Sequence, residues 1–197
     1  NMVLKSLQPT YGSPETMVES IALSELGRDF YHLPTWGTAG CTASKLPDEA
    51  AVLEGTQYIT VAGLAGINII HDVGYTQFGL CLSNELVVMM NDAIGRVRRL
   101  FDCVDVSDEY CLMEDMAEVG PKGHFLGQVS TIKMNTEHWE SDLEDRNEVG
   151  RWKELGAKTM GQRANEIVRD IIENGELNTL PPEIDAQIVA LIDRIDK

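Results

Sequence analysis

Few residue types in this chain can do chemistry by themselves, and the sharpest pair among them is His71-Asp72, which directly follows the apolar run Ile67-Asn68-Ile69-Ile70. A histidine at such a position can donate or accept a hydrogen bond to a polar substrate, and an adjacent aspartate can orient it. On spacing alone a second reading stands level with the first: a histidine satisfied in the core, with Asp72 capping a turn. Three aromatics, Trp36, Tyr75 and Phe78, fall in the same two loop regions. An aromatic face attracts a neighbouring cation by about 0.5–2 kcal/mol, so together they could cage a methylated ammonium. The competing reading, favoured on spacing alone, is that they pack against the protein.

Other candidates carry less. Gly37, Gly40, Gly74 and Gly79 allow close backbone approach, but no GxGxxG or GxxxxGK[ST] arrangement makes a nucleotide cradle of them. His124 and His138 read as surface-loop residues, and Glu114, Asp115 and Glu118 as a solvated helical face. Cys41, Cys81, Cys103 and Cys111 lack CxxC pairing, so reduced, partly buried thiols are expected rather than disulfides, and no metal ligand set is identified.

The elements that must position these residues follow a βα rhythm. In the first unit Met2 to Leu7 is strand-like, Ser13 and Pro14 suit an N-cap and N1, and a helix runs to about Arg28. The second opens at Leu33-Pro34-Thr35-Trp36, passes through a loop of small residues and enters a helix from about Pro47 to Ala65. That helix is poor in charge, so cover on more than one side is expected, with another chain as one possible source. The third has Ile67 to Ile70 as a buried strand, a loop from His71 to Gly79, and a helix from about Ser83 to Phe101 with Arg96, Arg98 and Arg99 near its end. Loops at the C-terminal ends of parallel strands are where barrels and open α/β sheets build their sites. Beyond Phe101 the pattern becomes helix and loop: a short helix from Ser107 to Glu118, then amphipathic helices from Ala157 to Asn174 and Pro181 to Ile195, separated by Gly175 to Leu180.

Composition narrows the classes. The 197 residues are 43% hydrophobic and 24% charged, the profile of a folded globular protein. A net charge of -16 disfavours nucleic acid and anionic lipid as partners. No apolar run reaches the roughly 18 residues of a membrane span and no signal layout opens the chain, so a cytoplasmic protein is expected.

Several strings resemble the MttB family of trimethylamine and quaternary-amine corrinoid methyltransferases. They are Tyr11-Gly12-Ser13-Pro14-Glu15, the run from Leu33 to Thr42 with Ser44-Lys45, Ile70-His71-Asp72-Val73-Gly74-Tyr75, Val119-Gly120-Pro121, Gly123-His124-Phe125-Leu126, Asp145-Arg146 and Gly156-Ala157-Lys158. The most specific is HDVGY in its βα context. The resemblance implies the C-terminal part of a TIM (β/α)8 barrel, with residues 1–104 as its last three units and 105–197 as a helical extension packing on it. It implies methyl transfer from a methylated amine to the Co(I) corrinoid of a partner protein, in the setting of methanogenesis. No cofactor would be bound directly. Carried over residue by residue, His71 meets the substrate's polar end, Asp72 orients it, and Trp36, Tyr75 and Phe78 face the methylammonium. Pyrrolysine, which some family members use, is absent, which favours a quaternary amine such as glycine betaine over trimethylamine. After Gly127 the family's histidine-rich stretch is replaced by Ser130 to Asn135. A chain this short also admits a non-catalytic role, as a small-cation binder, as a structural partner or as part of a homo-oligomer.

Overall fold

The computed structural model describes residues 2–3, 5–175 and 180–195, a mixed α/β chain dominated by helix. At its centre β3 (Trp36–Thr38) and β4 (Ile69–His71) pair in parallel, joined by α2 (Glu49–Leu64). Parallel neighbours need a long crossover, and α2 supplies it. The register sets Trp36 opposite Ile69, Gly37 opposite Ile70 and Thr38 opposite His71. Side chains alternate along a strand, so Trp36, Thr38, Ile69 and His71 share one face and Gly37 and Ile70 the other.

The helices explain which face is covered. Helix α1 (Pro14–Glu25) starts at the Ser13 cap and runs on as a wider π turn to Phe30. Helix α3 (Asn84–Phe101) starts at Ser83, whose hydroxyl accepts the Leu86 N–H. Both pack on α2, and α7 (Met160–Asn174) packs on α3. The core is the Met17, Cys41, Tyr58, Ile59, Leu86, Met89, Met90, Leu143 cluster, and Ile70 packs against it. Gly55 lets α2 and α3 meet closely: a Cβ there would lie 2.5 Å from Met90 Sδ. The expected cover of α2 therefore comes from α1 and α3 of the same chain, while Leu53 and Leu64 stay exposed.

Several expectations are corrected. The first strand does not join β3. Instead β1 (Met2–Val3) turns back onto β2 (Gln8–Pro9) as an antiparallel pair, with Leu7 in the left-handed region closing the turn. Two parallel strands thus stand where three barrel strands were expected. The loop after His71 contains its own hairpin, β5 (Tyr75–Thr76) with β6 (Cys81–Leu82). The helix expected over Ser107 to Glu118 is broken at Leu112 (φ 28°) into a 3₁₀ turn, Asp108–Tyr110, and α4 (Met113–Val119). Short helices α5 (Val129–Met134) and α6 (Val149–Glu154) follow. Helix α7 begins at Met160 because Gly156 and Ala157 have positive φ and Thr159 forms a capping box with Gln162. Helix α8 (Pro182–Ile195) is as expected, and residues 176–179 of the link before it lie outside the described residues. All four cysteines are free, but only Cys41 is buried; Cys81, Cys103 and Cys111 are exposed. No described helix is long and apolar enough to cross a membrane.

Candidate active site

The two loops leaving β3 and β4 zip together. Ala39 N–H donates to the His71 carbonyl, Gly74 N–H to Gly40, Thr42 N–H to Tyr75 and Gln77 N–H to Ser44. This ladder carries the strand pairing well past the strand ends, so the polar residues sit on an ordered rim. Gly74 is needed at its bend: its φ is 88°, and a Cβ would collide with Val87 of α3. A second tie comes from Glu54 of α2, which accepts from Thr42 Oγ1 at 2.5 Å and from Ala43 N–H at 3.0 Å.

His71 and Asp72 meet directly, Nδ1 to Oδ1 at 2.9 Å. Asp72 has φ 68°, which turns the chain after the strand; aspartate is among the few side chains that visit this region readily. Thr38 Oγ1 donates to the other carboxylate oxygen at 3.3 Å. The Trp36 ring stands edge-on to the imidazole, with centroids 5.1 Å apart. With Nδ1 engaged, Nε2 is the ring nitrogen left to meet a ligand. The group lies on the uncovered sheet face, where Trp36 is 71% and Ile69 59% exposed.

The expected residues divide. His71, Asp72 and Trp36 are brought together. Tyr75 packs partly buried against the core, and the Phe78 ring carries Lys45 Nζ, 4.8 Å from its centroid, at the far end of the loop ladder. The aromatic contacts therefore place Trp36 alone at the His71-Asp72 pair. Cys41, just beneath the rim, has its thiol pushed up to about 12, first by burial and then by the charge of Asp72. It is no nucleophile at neutral pH.

Sequence reasoning missed Thr38, Glu54 and Lys45. Thr38 becomes visible only through the register that sets it beside His71. Glu54 had a signal: beyond Glu49 in the first turn, it is the one charged residue of α2.

The model of the family described as trimethylamine methyltransferase (MTTB) matches residues 1–197. The chain belongs to the MttB family. A trimethylamine methyltransferase of Methanosarcina barkeri is 30% identical over 98% of this chain and 39% of its own length. One from Desulfitobacterium hafniense is 28% identical over 99% and 39%. A glycine betaine methyltransferase of Desulfitobacterium hafniense (strain Y51) is 30% identical over 96% of the chain and 40% of its own length. The chain thus spans about two fifths of the MttB relatives it matches. These relatives of both names are 28–30% identical to the chain, so overall identity does not divide them.

Proposed function

We propose that this MttB-family chain is the C-terminal portion of a (β/α)8 methyltransferase barrel, with residues 1–104 as barrel units and 105–197 as a helical extension. Its substrate is a methylated amine, taken to be quaternary, such as glycine betaine, and its methyl acceptor is the corrinoid of a cytoplasmic partner protein. One observation carries the reading. The Trp36, His71, Asp72 and Thr38 group stands at the C-terminal ends of parallel strands, on the face opposite the covering helices, as barrel sites do.

The chain's own residues would hold and orient the amine. The Trp36 face and the Asp72 carboxylate both attract a methylammonium, and the His71 imidazole, held by Asp72, offers Nε2 to the substrate's polar end. A Co(I) corrinoid on the partner would supply the nucleophile and accept the methyl group, and the electron pair of the broken C–N bond would stay on the nitrogen that Trp36 and Asp72 hold. The preference for a quaternary donor rests on the absence of pyrrolysine.

The test follows Co(I) absorbance of reduced cobalamin with the chain and, separately, glycine betaine, carnitine or trimethylamine. Loss with one donor, abolished by His71→Ala, supports the reading and names the donor. No loss, either with this chain or with a longer chain that extends it to its relatives' length, overturns it and leaves the non-catalytic role.

A further inference from the structure

A basic cleft lies far from His71. Helix α3 starts beside the loop ladder, where Ser83 N–H donates to the Gly74 carbonyl, and runs away from it. At 1.5 Å per residue, its Arg96 is about 20 Å along the helix from that rim. There α3, the residues just after it and the segment 138–146 border an open cleft of about 510 Å³, with Arg96, Arg99, Arg146, His138 and Trp139 on its polar side and Leu100, Cys103 and Val104 on its apolar side. Three arginines line it, in a chain of net charge -16.

The walls are built rather than incidental. The segment 138–146 has no regular structure, yet Ser141 donates to Asp92 at 2.8 Å and accepts the N–H groups of Leu143 and Glu144 at 3.0 and 2.7 Å. Leu143 is buried to 1% exposure, and Arg163 Nε donates to its carbonyl at 2.7 Å. Trp139 lies against Gly95, where a Cβ would come within 2.9 Å of its Nε1, and Arg96 stands over its ring at 5.7 Å. Glu144 pairs with Arg96 and, at 3.6 Å, with Arg146, so the three arginines of the cleft outnumber the one carboxylate paired with them. Arg99 is exposed and spends one N–H on the Cys103 carbonyl at 3.3 Å. Complementing the helix dipole accounts for Arg99, but not for Arg146, which arrives from a separate segment. Arg99 and His138 also border the adjoining hollow, whose acids are Asp102, Asp105 and Glu137, so their repulsion would push an anion toward the Arg96 and Arg146 side.

We propose that this cleft binds a phosphate group. Guanidinium forks match phosphate oxygens in pairs, and three of them favour a doubly charged anion over a monocarboxylate. The phosphate could be free or part of a nucleotide whose base stacks near Trp139, and the experiment separates these.

Calorimetric titration of the full chain with inorganic phosphate, AMP and acetate at constant ionic strength is the test. Saturable phosphate binding is expected, weakened about tenfold or more by Arg99→Ala and by Arg146→Ala, with acetate bound far more weakly. Arg98→Ala, on the same helix but outside the cleft, should leave it unchanged. AMP binding tighter than phosphate and falling to the phosphate value in Trp139→Leu would assign a nucleotide; equal affinities would assign free phosphate. Circular dichroism melts confirm that each variant is folded. No saturation by about 10 mM phosphate, or equal weakening by Arg98→Ala, overturns the proposal.

Discussion

The two faces of the β3–β4 pair are built from neighbouring residues and have opposite fates. Gly37 and Ile70 face the packed side, where α1, α2 and α3 bury Tyr58, Leu86 and Met90. Trp36, Thr38, Ile69 and His71 face the uncovered side, where two large apolar side chains remain exposed and the polar groups pair with one another. Burial alone explains the first face. On the second, a tryptophan and an isoleucine stand in water beside a histidine and a carboxylate; in the barrel proposed above this is the face that the remaining strands would enclose, and the polar group at its C-terminal edge is what marks it as the site-bearing side.

Thiol reactivity breaks or sustains this division most sharply. Cys41 lies on the packed side, where burial pushes its thiol up from an ordinary 9.0 to about 12, so its thiolate is roughly a thousandfold scarcer than that of an ordinary thiol. Titration with a disulfide reagent at pH 8 should show fast reaction of the exposed Cys81, Cys103 and Cys111 and release Cys41 only on denaturation. Four fast thiols would mean that the packed side opens.

Next in size is Leu86→Ala. Leu86 is fully buried between α3 and its neighbours, and truncation should cost about 2–5 kcal/mol by urea denaturation, through lost transfer energy and a cavity. A cost under about 1 kcal/mol would show that the core collapses around it.

Asp72→Asn tests the other face without disturbing the first. Asparagine tolerates the φ of 68° and keeps a hydrogen-bonding oxygen, so the melting temperature should hold. Loss of the charge beside the imidazole and the amine should lower methyl transfer by about a hundredfold in a complete barrel. Unchanged transfer would remove Asp72 from the site and leave it as a turn residue.

The packed face was legible in the sequence and the open face only in part. Helices α1, α2, α3 and α7 appear close to their expected bounds because Ser13, Ser83 and Thr159 are strong caps and the apolar spacing is helical. The first strand failed because pairing is non-local: Met2 to Leu7 has strand-like residues, but the nearest available partner was its own continuation through Gln8. The same limit applies at the site. His71 and Asp72 are adjacent in sequence and could be read directly, whereas Thr38 reaches Asp72 only through the parallel register. Phe78 read as a neighbour of Trp36, yet the loop ladder carries it to Lys45.

The start of α3, tied to the loop ladder by Ser83 N–H on the Gly74 carbonyl, is expected to respond to acid. Ser83 caps the helix, and Ser83→Ala should cost about 1 kcal/mol. Glu85 beside it is held below its ordinary 4.5, first by a hydrogen bond from its own N–H and then by Asn165 of α7. A depressed carboxylate contributes stability that is present above its unfolded value and disappears as pH falls through the folded one. Thermal melts should therefore decline below about pH 4.5, and Asn165→Ala should flatten part of that decline. An unaltered pH profile would separate α7 from the capping region.

Ile69→Ala carries the smallest expected effect and bears most directly on the open face. Ile69 is 59% exposed there, so truncation should change stability by no more than about 0.5 kcal/mol, against the several lost at Leu86. That holds only while the face stays uncovered. If copies of the chain, or a longer chain, cover the Trp36 and Ile69 side, the same substitution removes a buried side chain and costs about 2 kcal/mol or more. Its cost would then rise with protein concentration for self-association, and stay constant for cover from within one chain. Measuring Ile69→Ala across a hundredfold range of concentration, beside Leu86→Ala as the fixed reference, therefore distinguishes an open face from one closed by a second copy.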